Sequence, residues 1–499
     1  MLKSDVVRLV KTLSSTEKRY FKLYCKKQSG DRAYLALFDI IDQTQLKDIS
    51  HLQNKLHSIH PEASFETTAN YLVKTLTNSL VYFKCEKDSL FQQMQSFMRA
   101  RILFERALVS EGFKELGKAQ KLAGSTQNYL MEYMCCREEL DMLANLNFPD
   151  MNESKLLELQ TKGKSSLKSL SQVHDHHSLF EILKTRLTCL GMSVSEEAKR
   201  TFNDLLLSEL SLVTSKVAFN FQATKLHLMF QSFFFTSIGD YRSALKTFSE
   251  LDALFQNNME NAGYLHLDYL STLEGILDSL RTIRAYKQMP EYILKVKALI
   301  QEKNTEQFNQ RVAKTVVIFQ MTRLIGENHF AAALALSASQ ENQSLKDSII
   351  TDYERHCELL FYCGLAHFEL KQRDKALKYI NQITLLGKAN YHSAIYKAAK
   401  LLGIIIRYEL GDIEYIQYEI RAYKRLPQNK GVVLKIEKLI FKIAILDPHK
   451  NSVVKNNLIF KKLQPLISQI QNEKYELQII KFYDFLAWIE AKFQSNKHD

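Results

Sequence analysis

Beyond about residue 100, apolar side chains recur at i, i+3, i+4 and i+7 with few interruptions, the spacing that lays one stripe along an α-helix. The interruptions are short. They fall near Gly112, Phe148-Pro149, Gly191, Gly239-Asp240, Gln288-Pro290, Gly326, Lys371-Gln372, Gly411-Asp412 and Asp447-Pro448. Neighbouring breaks lie roughly 36–48 residues apart, about 42 on average, as turns inside helical hairpins would. The pattern predicts eight or nine stacked hairpins, an extended α-solenoid over residues 101–499. Residues 1–100 differ in texture and read as a small N-terminal helical domain or cap. There Ser14 to Glu17 has the S-x-x-E spacing of a capping box, opening a helix that carries Tyr20, Phe21, Leu23 and Tyr24 on its apolar side. Ser29-Gly30-Asp31 breaks the pattern, and Tyr34, Leu35, Leu37, Phe38 and Ile41 resume it. Further helices are expected near 47–57, 65–83 and 86–109.

Two windows sharpen the hairpin reading. Gly364 is followed twelve residues later by Ala376, and Ser232 twelve residues later by Ala244. Large residues flank each pair: Leu360, Cys363 and His367 then Ile380 and Ile383 in the first, Leu228 and Phe235 then Phe248 and Leu251 in the second. Small residues let two helices approach while the large ones fill the space between hairpins. This resembles the tetratricopeptide repeat, with departures: the consensus Trp and the helix-ending Pro are missing, and the period exceeds the usual length of about 34 residues. The resemblance implies stacked hairpins over roughly 110–450 and a concave surface suited to peptides. The block from Leu13 to Tyr24, with Ser29-Gly30-Asp31 and Leu37-Phe38-Asp39, resembles that of uncharacterised proteins from Bacteroidetes bacteria, and implies no activity.

Composition agrees with long helices and short connections. The chain has 499 residues with only 15 Gly and 6 Pro, well below the usual share of about 7% and 5%. Its seven cysteines are odd in number and form no C-x-x-C pair, which reads as reduced, buried thiols. No apolar leader opens the chain, and the least charged stretch, Leu226 to Gly239, is too short and too polar to span a bilayer. A cytoplasmic protein without membrane insertion is expected. The formal charge of +12 is uneven, with +5 in residues 1–100, +6 in 400–499 and +1 between. From Arg421 to Lys462, eleven basic residues face two acidic ones, a segment that could meet an acidic partner or nucleic acid but also suits a solvated helix face.

Candidate chemistry is sparse. Gly163-Lys164-Ser165 ends like a phosphate loop, but Glu158 stands where the first glycine belongs. His174, His176 and His177 are too close in sequence to reach one ion from a helix. His356, Cys363 and His367 would share a face, yet hairpin packing accounts for them. No metal, cofactor or catalytic group is expected. A helix-turn-helix drawn from 47–57 and 65–83 has an overlong connection and a single Lys before Lys84 on its second helix.

These readings converge on a non-enzymatic scaffold or adaptor that binds a protein or peptide on the concave face. The alternative is a regulator whose N-terminal domain contacts nucleic acid or a partner while the repeats sense a ligand. If Gly364 and Gly403 occupy equivalent places, Glu358, Phe361, Leu365 and Phe368 point inward from one hairpin. Lys397, Lys400, Arg407 and Tyr408 then do so from the next. That would set an apolar floor beside three cations, fit for an extended peptide with hydrophobic anchors and a carboxylate.

Overall fold

The computed structural model describes residues 3–26, 33–44, 49–149, 151–190, 200, 202–213, 220–258, 266–301, 304–339, 353–385, 393–425, 434–446 and 453–494. The breaks expected at Ser29-Gly30-Asp31, Gly191 and Asp447-Pro448 lie outside them, as does part of the basic stretch. The described residues form 24 α-helices, two short 3-10 turns and no strand. None of these helices is long and apolar enough to cross a membrane.

The chain divides into two compact units, residues 1–172 with 259–264 and 300–309, and residues 173–258 with 265–299 and 310–499. In the first unit, helices between Lys3 and Lys87 bury their own core around Phe21, Leu37, Phe38, Leu72 and Leu76. Its second helix begins with the expected capping box: the Ser14 N–H donates to Glu17 at 2.8 Å and the Glu17 N–H to Ser14 Oγ at 3.2 Å. Helices Ser89–Glu105 and Tyr129–Asn145 then both pack on Val109–Ser125 around a separate core containing Phe97, Ala119 and Cys135.

The second unit is built mainly from five successive hairpins. They pair Phe221–Ser237 with Tyr241–Asn257, His266–Thr282 with Met289–Lys297, Glu306–Gly326 with Phe330–Ala338, Tyr353–Glu369 with Arg373–Leu385, and Ala394–Leu410 with Ile413–Lys424. Each first helix ends the same way. One residue turns left-handed (Gly239, Arg284, Asn328, Lys371, Gly411), and these recur 40–45 residues apart. The following N–H then donates five residues back, as from Asp240 to Phe235 at 2.9 Å and from Gln372 to His367 at 2.9 Å. This six-residue closure satisfies carbonyls that the helix end would leave bare. Only two of the five turns use glycine. The others hold a side chain in a region that costs roughly 1–2 kcal/mol, and so a glycine-poor chain still turns on schedule.

Between paired helices the small positions allow close approach. Ala244 and Ala376 are fully buried. A Cβ at Gly364 would come within 3.0 Å of Ile380 Cδ1 and 3.3 Å of the Ala376 carbonyl.

Candidate functional site

In the second unit, the inner sides of the hairpins are occupied by the chain's own C-terminal strap, residues 474–494. Helices Leu477–Ile480 and Phe485–Gln494 lie within it. Beginning at the first hairpin, Lys474 pairs with Asp240 at 2.6 Å and Gln478 Nε2 donates to the Ser237 carbonyl at 3.4 Å. Lys481 pairs with Asp278 of the second hairpin at 2.8 Å, and Asp484 with Arg284 at 2.6 Å. Phe482 and Tyr483 meet the rings of Phe361 and Phe368 in the fourth hairpin, with centroids 5.9 and 6.3 Å apart. Trp488 sits edge-on to Tyr408 of the fifth and donates its indole N–H to Glu409 at 3.2 Å.

The strap buries Phe482, Phe485, Leu486, Trp488, Ile489 and Phe493. At about 1.5–3 kcal/mol for each such side chain, the set contributes on the order of 10 kcal/mol. That is comparable to the whole stability of an ordinary domain. Displacing the strap would cost a ligand a factor of about 10⁷ in affinity.

Beneath the strap lies a buried ionic network. Asp278 accepts from both Lys481 and Arg281. Arg281, 1% exposed, also donates to the Tyr362 hydroxyl at 2.9 Å and lies 3.5 Å from Glu358. Arg355 pairs with Glu358 at 2.7 Å and with Glu274 at 3.4 Å. The Arg281 guanidinium is stacked between Phe482, 4.7 Å away, and Phe319, 5.6 Å away. Burial alone would raise the pKa of Asp278, but Lys481 and Arg281 outweigh it and hold the carboxyl well below its ordinary range. Glu358 is likewise lowered, with Arg355 and Arg281 overcoming burial.

Alongside this network the strap and the hairpin turns line an open cavity of about 750 Å³. Its hairpin wall carries Arg284 and Tyr286, Asn328 and Phe330, and Lys371 and Arg373. Its strap wall includes Tyr483, Asp484, Trp488 and Lys492. Glu409 there receives Arg373 at 3.0 Å, and Lys492 as well. Burial raises the pKa of Glu369, which Tyr483 hydrogen-bonds. The periodicity of the strap marks it as a buried helix, but nothing local announces this cavity.

The structure divides the eight residues expected to form one surface. Glu358, Phe361, Leu365, Phe368 and Tyr408 are all buried. Phe361, Phe368 and Tyr408 hold the strap, and Leu365 and Phe368 line the cavity. Lys400 and Arg407 turn elsewhere, to the fifth hairpin's second helix. Lys400 pairs with Glu419 at 3.1 Å, while Arg407 lies 4.2 Å over the Tyr415 ring and donates to Asn381 at 3.2 Å. Lys397, half-buried, acts on the Glu437 carboxyl. The assumed equivalence of Gly364 and Gly403 fails by one residue. Gly364 stands seven before its left-handed residue Lys371, but Gly403 stands eight before Gly411. One residue rotates a helix face by about 100°. The true inner positions are Ala398, Leu401, Ile405 and Tyr408, all buried.

The histidine and cysteine clusters show ordinary packing. His356 and Cys363 are buried, and His367 stacks on Tyr379 and meets Gln372 at 2.8 Å. Among the described residues, no three His, Cys, Asp or Glu side chains converge as a metal set.

In the first unit two helices leave apolar side chains uncovered. Met94, Met98 and Ile102 of Ser89–Glu105, with Leu130 and Met134 of Tyr129–Asn145, are exposed, Met98 to 56% and Ile102 to 55%. Arg101 bridges the two helices to Glu138 at 3.4 Å. No protein-family model matches the chain, and a search of curated proteins finds no similar one.

Proposed function

We propose that the chain is a non-enzymatic cytoplasmic interaction scaffold that holds a segment of a protein partner along helices Ser89–Glu105 and Tyr129–Asn145 of its first unit. The observation that carries this is an exposed apolar face. First helices of hairpins in the second unit hold a twenty-one-residue segment by apolar side chains flanked with Lys–carboxylate pairs. In the first unit the positions equivalent by the left-handed Ala107 include buried Phe97 and Phe104, and the neighbouring face offers Met94, Met98 and Ile102, with Leu130 and Met134, to solvent. Flexible, polarisable methionines suit a surface that must fit a partner's side chains. An exposed apolar patch of this kind, rimmed by Arg101, Glu138, Arg137 and Asp141, is what a docking face requires.

The test is the double variant Met98→Glu, Met134→Glu in the full chain. Its thermal unfolding should match the wild type, and proteins that co-purify stoichiometrically with the wild type should be lost. Retention of the same partners by a folded double variant would refute the surface. Copurification of nucleic acid alone, released by high salt, would point to the regulator reading instead.

A further inference from the structure

The cavity beside the strap opens to solvent, and its volume of about 750 Å³ falls in the range of small-ligand clefts, roughly 300–1,000 Å³. Its charges show what it would accept. Arg284 is neutralised by Asp484, and Arg281 and Lys481 by Asp278 and the Glu358 network. Glu409 carries two cations, Arg373 and Lys492, leaving one positive charge in excess. Lys371 adds another, since no carboxylate among the described residues lies within ion-pairing distance of it. Burial raises the pKa of Glu369, the remaining lining carboxylate, against the opposing pull of Tyr483 and Lys371; even counted as charged, it leaves the lining with one positive charge in excess. The rings of Tyr286, Phe330 and Tyr483 are half-buried at the walls.

We propose that this cavity binds a small anion joined to a flat apolar body, an aryl carboxylate or aryl phosphate. The anionic group lies against the Lys371 ammonium and the Arg373 guanidinium, and the body lies against Tyr286, Phe330 and Tyr483. The site is independent of the partner surface on the first unit. It would make the second unit responsive to a metabolite whose ring contacts hairpin turns and strap together.

Isothermal titration calorimetry on the full chain tests it with 1-naphthoate, 1-naphthyl phosphate and uncharged 1-naphthamide. One of the two anions should bind saturably, the preferred one identifying carboxylate or phosphate as the natural group. The amide should bind at least tenfold more weakly. Lys371→Gln, at an exposed position with no ion pair to break, should weaken the anion at least fivefold and leave the amide unchanged. Arg373→Lys keeps the charge beside Glu409 but removes the planar guanidinium fork, and should also weaken the anion. Equal binding of anion and amide would overturn the charge assignment, and no saturable heat from any of the three would overturn the site.

Discussion

Replacing Asp278 with Asn removes the carboxylate that two buried cations share. Lys481, 2.8 Å away, then loses its carboxylate and keeps a neutral amide oxygen and the aromatic groups of Phe482 at 5.2 Å and Tyr241 at 5.5 Å. Arg281 keeps the Tyr362 hydroxyl and the Glu358 oxygen at 3.5 Å. Removing one partner of a buried pair typically costs about 3–5 kcal/mol, because the remaining charge is left uncompensated. Lys481→Met is the contrasting change. It leaves Asp278 paired with Arg281 and puts an unbranched apolar chain where the lysine stem ran, so the expected cost is about 1 kcal/mol. The informative quantity is the difference, roughly 2–4 kcal/mol, since both substitutions alter the same contact. Urea unfolding reads it, followed by far-ultraviolet circular dichroism and by fluorescence of Trp488. That residue is the chain's only tryptophan and reports the strap directly. Equal losses, or a larger loss for Lys481→Met, would refute the idea that Asp278 anchors the strap. The pH dependence has a definite sign. A carboxyl whose folded pKa is lowered contributes in full above its unfolded value near 4 and loses that contribution as pH falls. Acid should therefore loosen the strap in the wild type, and Asp278→Asn should reduce the slope.

Other perturbations test other parts of the reading. Gly239 and Gly411 share positive φ, +75° and +80°, but a Cβ at Gly239 would lie 2.3 Å from the Lys474 carbonyl while one at Gly411 meets nothing within 4 Å. Gly411→Ala should cost the conformational penalty of about 1–2 kcal/mol, and Gly239→Ala clearly more by thermal unfolding; equal costs would show that the strap does not press on the first turn. Ala376→Leu should overpack the fourth hairpin against Gly364 and lower stability by about 1–3 kcal/mol, and an unchanged melting curve would contradict the helix register. Glu437 and Glu476 are buried at the start of helix Lys435–Leu446, where Glu476 accepts from the N–H groups of Lys435 at 2.7 Å and Ile436 at 3.1 Å. Burial raises both pKa values, so their contribution is present below the ordinary carboxylate range and is lost as pH rises through the raised values. Glu437→Gln with Glu476→Gln should be less sensitive than the wild type to pH above about 4; identical pH profiles of melting temperature would exclude this.

Which parts of the molecule were legible in the sequence follows from the range of the physics. The all-α fold, the capping box at Ser14 and the breaks near 239, 326, 371 and 411 are set by neighbours within a turn or two, so periodicity and capping residues reveal them. The hairpin turns were only half legible, because Arg284, Asn328 and Lys371 adopt the left-handed state that glycine would have advertised. The strap was not legible as a strap. Residues 485–494 show an apolar stripe that must be buried, but an amphipathic pattern names no partner, and the partners here lie up to 241 residues away, as with Gln478 and Ser237.

The misplacement of Lys397, Lys400 and Arg407 has a different cause. It came from aligning hairpins on small residues. A small residue marks a close approach, but Gly364 approaches the second helix of its own hairpin, whereas Gly403 faces Ile380 in the second helix of the hairpin before it. The left-handed closure is the safer ruler, since its hydrogen bond ties a fixed residue to the helix end in every hairpin. Counted back from Lys371 and Gly411, Phe361 matches Leu401, Leu365 matches Ile405 and Phe368 matches Tyr408. Every one of these is buried and apolar. The inner face of the fifth hairpin therefore had no place for cations. Positive charge instead gathers at the turns, on Lys371 and Arg373, which line the open cavity between the hairpins and the strap.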